Sequence, residues 1–339
     1  MSMRAFITGV SGPELNAAER EFIRAERPWG FILFKRNIET PTQVIRLVKE
    51  LRAEMAEPDA PVLIDQEGGR VQRLRPPHWR AAPPAARFGE FAAIDRAAAI
   101  EAARLNARLI GGELADLGID TVCAPVLDLR FAGAHDVIGD RAYSGDPETV
   151  AALGRAACEG FQAAGVRPIV KHVPGHGRGM VDSHLSVPVV DITRAELEAS
   201  DFRPFKALAD MPWAMTAHVV YGAIDPDRPA TTSPAVVAQI VRGHIGFDGV
   251  LIGDDLSMEA LAGSIAERAA ATLGAGCDLA LHCNGKMAEM KALADAVPEI
   301  GAAAKARLAR GTKARPSAPV DTAVLAARLD KLLAGSQHV

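Results

Sequence analysis

Short apolar runs recur along this chain, each followed by a stretch in which apolar positions return every three or four residues. Strands buried on both faces, alternating with amphipathic helices, give this pattern, so it predicts a parallel sheet built from β-α units. Eight strands are predicted: Ala5–Val10, Gly30–Phe34, Val62–Asp65, Thr121–Leu127, Pro168–His172, Trp213–His218, Gly249–Asp254 and Asp278–His282. Helices are predicted over Ser11–Arg27, Thr40–Ala56, Ala92–Leu117, Pro147–Ala164, Arg194–Ala209, Pro234–Gly243 and Ser264–Leu273. The second of these has a capping Thr40, Pro41 at the first helical position, and Val44, Leu47, Val48 and Leu51 at helical spacing.

Eight strands over about 290 residues, most of them followed by a helix, fit a (β/α)8 barrel of the TIM type in the α/β class. An open doubly wound sheet is the alternative. It is disfavoured because Gly9 and Gly12 do not have the spacing of a dinucleotide-binding turn. Beyond Asn284 the pattern is helical and alanine-rich, broken over Gly311–Pro319 and resumed from about Asp321 to Leu333. The expected organisation is a barrel over residues 1–285 with a C-terminal helical extension, 286–339, packed on it.

Composition narrows the function classes. With 49% hydrophobic and 24% charged residues among 339, the chain has ample apolar mass for a large soluble core. A net charge of −4 leaves no basic footprint for nucleic acid. The segment Met1–Gly12 lacks the long apolar run of a signal peptide, and no later run reaches the roughly 18 apolar residues that span a membrane. The four cysteines show no zinc-like pairing and read as buried thiols in a reducing compartment, with the cytoplasm as the expected location.

The chemistry is concentrated at predicted strand ends. Lys171 His172 Val173 Pro174 Gly175 His176 Gly177, followed by Asp182 Ser183 His184, brings together three of the chain's nine histidines directly after an apolar strand. A Gly- and Pro-broken loop has no apolar face to fill, so these histidines point to function. Metal ligation is a second reading, weakened because Pro174 and Gly175 break the helix that would put His172 and His176 on one face. In an extended loop Asp182 and His184 project to one side, so the carboxylate can fix the imidazole tautomer and leave its other nitrogen free for proton transfer.

Other strands end in Asp65 Gln66 Glu67 Gly68 Gly69 Arg70, Asp128, His218, Asp254 Asp255 and His282. Adjacent strand residues face opposite ways, so one of Asp254 and Asp255 is expected in the pocket and the other outside it. A pocket carboxylate can attack an electrophilic carbon, as in retaining glycosidases.

These residues carry a resemblance. The Lys171–Gly177 run with Asp182 Ser183 His184, the segment Asp65 Gln66 Glu67 Gly68 Gly69 Arg70 Val71 Gln72 Arg73, and Asp254 Asp255 Leu256 Ser257 Met258 resemble bacterial β-N-acetylhexosaminidases of glycoside hydrolase family 3, from about Gly9 to Asn284. The resemblance implies Asp254 as nucleophile, His184 as acid/base with Asp182 behind it, and Asp65, Arg73, Arg141, Lys171 and His172 as sugar-binding groups. It further implies release of N-acetylglucosamine from muropeptides such as GlcNAc-anhydroMurNAc peptides in peptidoglycan recycling, by an enzyme needing neither metal nor organic cofactor. A monomer is expected. Two positions depart from the family pattern: Val173, where phenylalanine is frequent, and Gly253, where serine commonly precedes the nucleophile.

Within that fold, the substrate's acetamido group could replace Asp254 as nucleophile, or phosphate could replace water as acceptor. A sugar-binding or metal-dependent barrel module is the rival from another class. Arg70 ranks below Arg73 for substrate contact, His176 is expected to stabilise its loop, and Gly175, Gly177 and Gly179 are expected to hinge it.

Overall fold

The computed structural model describes residues 3–133, 136–179, 187–311 and 321–335. Nine strands form two parallel sheets. β1 (Arg4–Thr8), β2 (Pro28–Leu33), β3 (Val62–Ile64), β4 (Thr121–Val122), β5 (Arg167–Pro168) and β9 (Ala280–His282) pair in the order β9-β1-β2-β3-β4-β5. β6 (Val170–Val173), β7 (Trp213–Thr216) and β8 (Val250–Ile252) pair in the order β8-β7-β6. Two isolated parallel bridges, Val126↔Lys171 and Ile252↔Leu279, link the regions where the sheets meet. The architecture is thus α/β with predominantly parallel pairing, and continuous strand pairing does not close it into one barrel.

Each predicted strand overlaps an observed one, and the boundaries move for physical reasons. Strand Thr121–Leu127 shrinks to Thr121–Val122, with the pairing interrupted at Pro125, which has no N–H, and resumed as the single bridge at Val126. Strand Pro168–His172 becomes Arg167–Pro168 and Val170–Val173.

The helices follow their caps. α1 (Ala17–Glu26) starts later than Ser11 because Asn16 and Glu19 form a capping box there. α2 (Pro41–Met55) begins where Thr40 accepts from the Gln43 N–H, and buries Val44, Leu47, Val48, Leu51 and Met55. The predicted helix Ala92–Leu117 is α4 (Arg96–Asp116), which starts later because Asp95 caps it, and a further helix, α3 (Ala85–Ala92), precedes it. α5 spans Pro147–Ala163. The predicted Arg194–Ala209 helix divides into α6 (Arg194–Ala199) and α7 (Arg203–Ala207), with Ser200 out of helical conformation between them. Val236–His244 is wound as a π-helix, and α8 spans Ile265–Gly274.

Past the last strand come α9 (Met287–Ala296), α10 (Ala302–Arg310) and α11 (Thr322–Gly335). Leu325 and Leu329 of α11 join Phe88, Phe91, Leu105 and Leu109 in a cluster over α3 and α4. Among the described residues no helix is long and apolar enough to cross a membrane. All four cysteines are buried free thiols.

Candidate active site

The parallel strands point their C-terminal ends toward one cavity of about 150 Å³. β3 runs into Asp65, β6 carries Lys171 and His172, and the segment after β8 supplies Asp254 and Asp255. Arg141 ends a 3-10 turn over Gly139–Arg141, and Arg73 follows a hairpin that returns the chain to Asp65. That hairpin pairs Gln66–Gly68 with Val71–Gln72, and Gly68 (φ +98°) and Gly69 (φ +57°) make its turn.

The sugar-binding candidates form a continuous chain of charge. Arg73 donates to Asp65 Oδ2 at 3.0 Å, and Lys171 Nζ lies 2.9 Å from Asp65 Oδ1 and 2.7 Å from Glu67 Oε1. Arg141 grips Glu67 through Nε and a terminal nitrogen, both at 2.9 Å. Burial would raise both carboxyls. The Lys171 and Arg73 charges outweigh it and hold Asp65 well below the usual aspartate range, while Arg141 and Lys171 hold Glu67 at about 2. Burial would likewise lower Lys171, but Asp65 and Glu67 push it above the ordinary lysine value. Glu67 was not foreseen as a site residue, although in an extended segment it shares a face with Asp65.

The linkage has a definite sign. Glu67 falls from an ordinary 4.5 to about 2 on folding, so its contribution to stability is complete above 4.5 and lost as pH falls through about 2. Urea unfolding followed from pH 6 to 2 should show the midpoint falling mainly in that acid window; a flat profile there would argue against the ion-pair chain.

A buried aspartate orients the histidines. Asp128 Oδ2 lies 2.7 Å from His172 Nδ1, and its Oδ1 accepts from the His176 backbone N–H at 2.7 Å. A carboxylate on Nδ1 leaves His172 Nε2 free to face the cavity. His176 does more than stabilise the loop: its ring lines the cavity 5.7 Å from the His172 ring. Burial, with His172 beside it, pushes His176 down to about 4, so near neutrality it is an uncharged wall.

Asp254 is half-buried, and its Oδ1 accepts from the Asp255 N–H at 2.8 Å. Burial acts to raise this carboxyl, but the His218 and His172 imidazoles, the Asp255 N–H and Lys171 outweigh it and hold it below the ordinary aspartate value. A carboxylate at neutral pH follows. The strand-alternation argument needs correction here: β8 ends at Ile252, so both aspartates follow the strand and both line the cavity. They still divide the work, because Asp255 is held by the Ser257 N–H at 3.0 Å, the Ser257 hydroxyl at 2.6 Å and the Cys283 N–H at 3.0 Å.

Other expectations land as follows. Arg70 pairs with Asp136 at 2.8 Å and Asp140 at 3.1 Å on the exterior. His282 binds Glu289 at 3.1 Å instead of lining the cavity. Gly177 packs against Leu129, where a Cβ would sit 1.9 Å from the carbonyl oxygen. Asp182, Ser183 and His184 lie outside the described residues. Among the described residues no group of three or more His, Cys, Asp or Glu side chains is placed to hold a metal ion. Composition and motif alone did not reveal the apolar part of the wall, Phe34, Met215 and Met258 among it.

Gly253 has a steric reason. A Cβ there would lie 2.6 Å from Thr272 Cγ2 and 3.3 Å from Thr231 Cγ2. Gly253→Ala should therefore cost roughly 1–3 kcal/mol in chemical denaturation, as overpacking does; unchanged stability would show that the neighbouring methyl groups yield freely.

A half-buried carboxylate facing fixed cations and an oriented imidazole suits an enzyme acting on a polyhydroxylated ring. The chain belongs to glycosyl hydrolase family 3, whose N terminal domain matches residues 3–312. It is therefore a glycoside hydrolase, as its motifs implied. A relative from Methylococcus capsulatus named Beta-hexosaminidase is 43% identical over 277 residues, covering 80% of each protein. One of the same name from Thiobacillus denitrificans is 39% identical over 330 residues, covering 96% of this chain and 90% of the relative. In structure, the chain is similar to NagZ from Neisseria gonorrhoeae in complex with N-trifluoroacetyl-D-glucosamine: TM-score 0.89, 32% identity, 98% of this chain and 99% of that one.

Proposed function

We propose that this glycoside hydrolase is a retaining exo-β-N-acetylglucosaminidase. The observation that carries the reading is that Arg73, Asp65, Lys171 and Arg141, tied together through Glu67, line the same cavity as the ionised Asp254. Fixed donors and acceptors of this kind hold sugar hydroxyls in one orientation, and the carboxylate then has an anomeric carbon to attack. The relatives' name and the N-acylated glucosamine bound in the gonococcal structure support an N-acetylhexosaminide as substrate.

In this reading Asp254 attacks the anomeric carbon as His184, oriented by Asp182, protonates the leaving oxygen. The neutral His184 then takes a proton from water, which displaces Asp254 and releases N-acetylglucosamine. Asp65, Arg73, Arg141, Lys171 and His172 bind the ring. No metal or organic cofactor takes part. The substrates are muropeptides such as GlcNAc-anhydroMurNAc peptides, met in the cytoplasm by a monomer. The parallel strands form a (β/α)8 barrel wall over residues 1–285, a reading supported by the two bridges between the sheets, with residues 286–339 packed against it.

Proton NMR of aryl β-N-acetylglucosaminide hydrolysis tests this directly. β-N-acetylglucosamine is expected as the first product, relaxing later to the anomeric mixture. The α anomer appearing first, or a sugar phosphate forming in phosphate buffer in place of the free sugar, would overturn the proposed reaction.

A further inference from the structure

Behind Asp254 lies a buried polar circuit that the proposed reaction does not use. The Asp254 backbone N–H donates to Thr216 Oγ1 at 3.3 Å. Thr216 Oγ1 is 2.7 Å from Thr231 Oγ1, which is 2.7 Å from His218 Nδ1. His218 Nε2 lies 3.0 Å from the Asp255 carbonyl oxygen. Thr216, Thr231 and His218 are all fully buried. The circuit thus leaves the Asp254–Asp255 dipeptide at its first N–H and returns at its last C=O.

The partners constrain the hydrogens of the circuit. A carbonyl only accepts, so His218 Nε2 carries a hydrogen. One assignment runs the circuit in a single direction, with Nδ1 accepting from Thr231 Oγ1. Thr231 is then the donor to Nδ1. Thr231 Oγ1 also lies 3.1 Å from the Ala217 carbonyl oxygen, a second acceptor within its reach. Thr216 in turn donates to Thr231 and accepts from Asp254. Every donor points the same way round, an arrangement in which each bond polarises the next.

We infer that His218 is a positioning residue for Asp254, acting through Thr231 and Thr216 to fix the backbone from which the nucleophile projects. Asp255 is pinned separately through its own carboxylate, and its N–H holds Asp254 Oδ1. With both ends of the dipeptide clamped, the reactive oxygen has one place to be. The absence of a Cβ at Gly253 keeps the Thr231 methyl close beneath this turn. This inference rests on the assignment of Asp254 as nucleophile.

The test compares Thr231→Val, which keeps the shape and removes the relay hydroxyl, with Thr231→Ser, which keeps the hydroxyl. Hydrolysis of an aryl β-N-acetylglucosaminide is measured alongside thermal unfolding, with His218→Gln as a second break in the circuit. Thr231→Val should lower kcat roughly 10- to 100-fold, the scale of a displaced reacting group, and leave KM within about two-fold. His218→Gln should show the same split, and Thr231→Ser should return kcat to within about three-fold of the parent. The clamp is overturned if Thr231→Val turns over like the parent, if KM moves and kcat does not, or if Thr231→Ser loses as much kcat as Thr231→Val. Asp254→Asn run in parallel separates the two levels: if it remains active the nucleophile assignment fails, and if it is inactive while Thr231→Val is normal only the clamp fails.

Discussion

Asp254→Asn should lower kcat by at least about 10³-fold on an aryl β-N-acetylglucosaminide and leave the protein folded. The reason is electronic. Asparagine keeps the oxygen that accepts from the Asp255 N–H, so the turn after β8 retains its geometry. What disappears is the negative charge and the nucleophilic lone pair on an oxygen aimed into the cavity. Stability should stay within about 1 kcal/mol of the parent, since no packed apolar group is lost and no strong ion pair is broken. Activity within about ten-fold of the parent would remove Asp254 from the role of nucleophile.

Lys171→Met should destabilise the protein by about 3–5 kcal/mol, the usual cost of removing one partner from a buried ion pair. Lys171 is 3% exposed and touches both Asp65 and Glu67, so the variant leaves two adjoining carboxylates with Arg73 and Arg141 at their outer ends but nothing between them. Glu67 should then titrate well above its present value of about 2, visible by NMR or as a displaced acid limb of the unfolding profile. The same change removes a donor from the ring-binding wall, so kcat/KM should fall as well. A loss of less than about 1 kcal/mol would mean that water replaces the ammonium at little cost, and that the cavity is wetter than its burial indicates.

Much of the candidate site is readable because most of the predicted strands end in a short polar string whose position is fixed by the sheet. Asp65, Lys171, His172 and Asp254 were found in this way, and the structure sets all four on one cavity. Glu67 was within reach of the same logic, two residues past Asp65 on an extended segment. Long-range pairings were not. Asp128 meets His172 from the segment after β4, and Arg141 meets Glu67 across 74 residues of sequence, so neither pairing could be named without coordinates. Thr231 carries no motif, and its importance arises only from standing between Thr216 and His218.

The fold errors have similarly local causes. Asp95 is one capping aspartate among many polar residues, yet it moves the start of a predicted helix from Ala92 to Arg96. Pro125 interrupts the ladder of a strand whose apolar pattern continues to Leu127, leaving a single bridge at Val126. Asp254 and Asp255 were assigned opposite faces on the assumption of a strand that in fact stops at Ile252. Alternation and periodicity identify elements, whereas single caps, prolines and side-chain contacts decide where they end.

The most direct test of the covalent reaction is peptide mapping by mass spectrometry after the enzyme has been incubated with a fluorinated N-acetylglucosaminyl fluoride, which slows breakdown of a glycosyl-enzyme. One sugar per chain, attached to Asp254 and released as turnover resumes, is the expected result. Full consumption of the reagent with no adduct, or an adduct on any other residue, would contradict a reaction that passes through a glycosyl ester on Asp254.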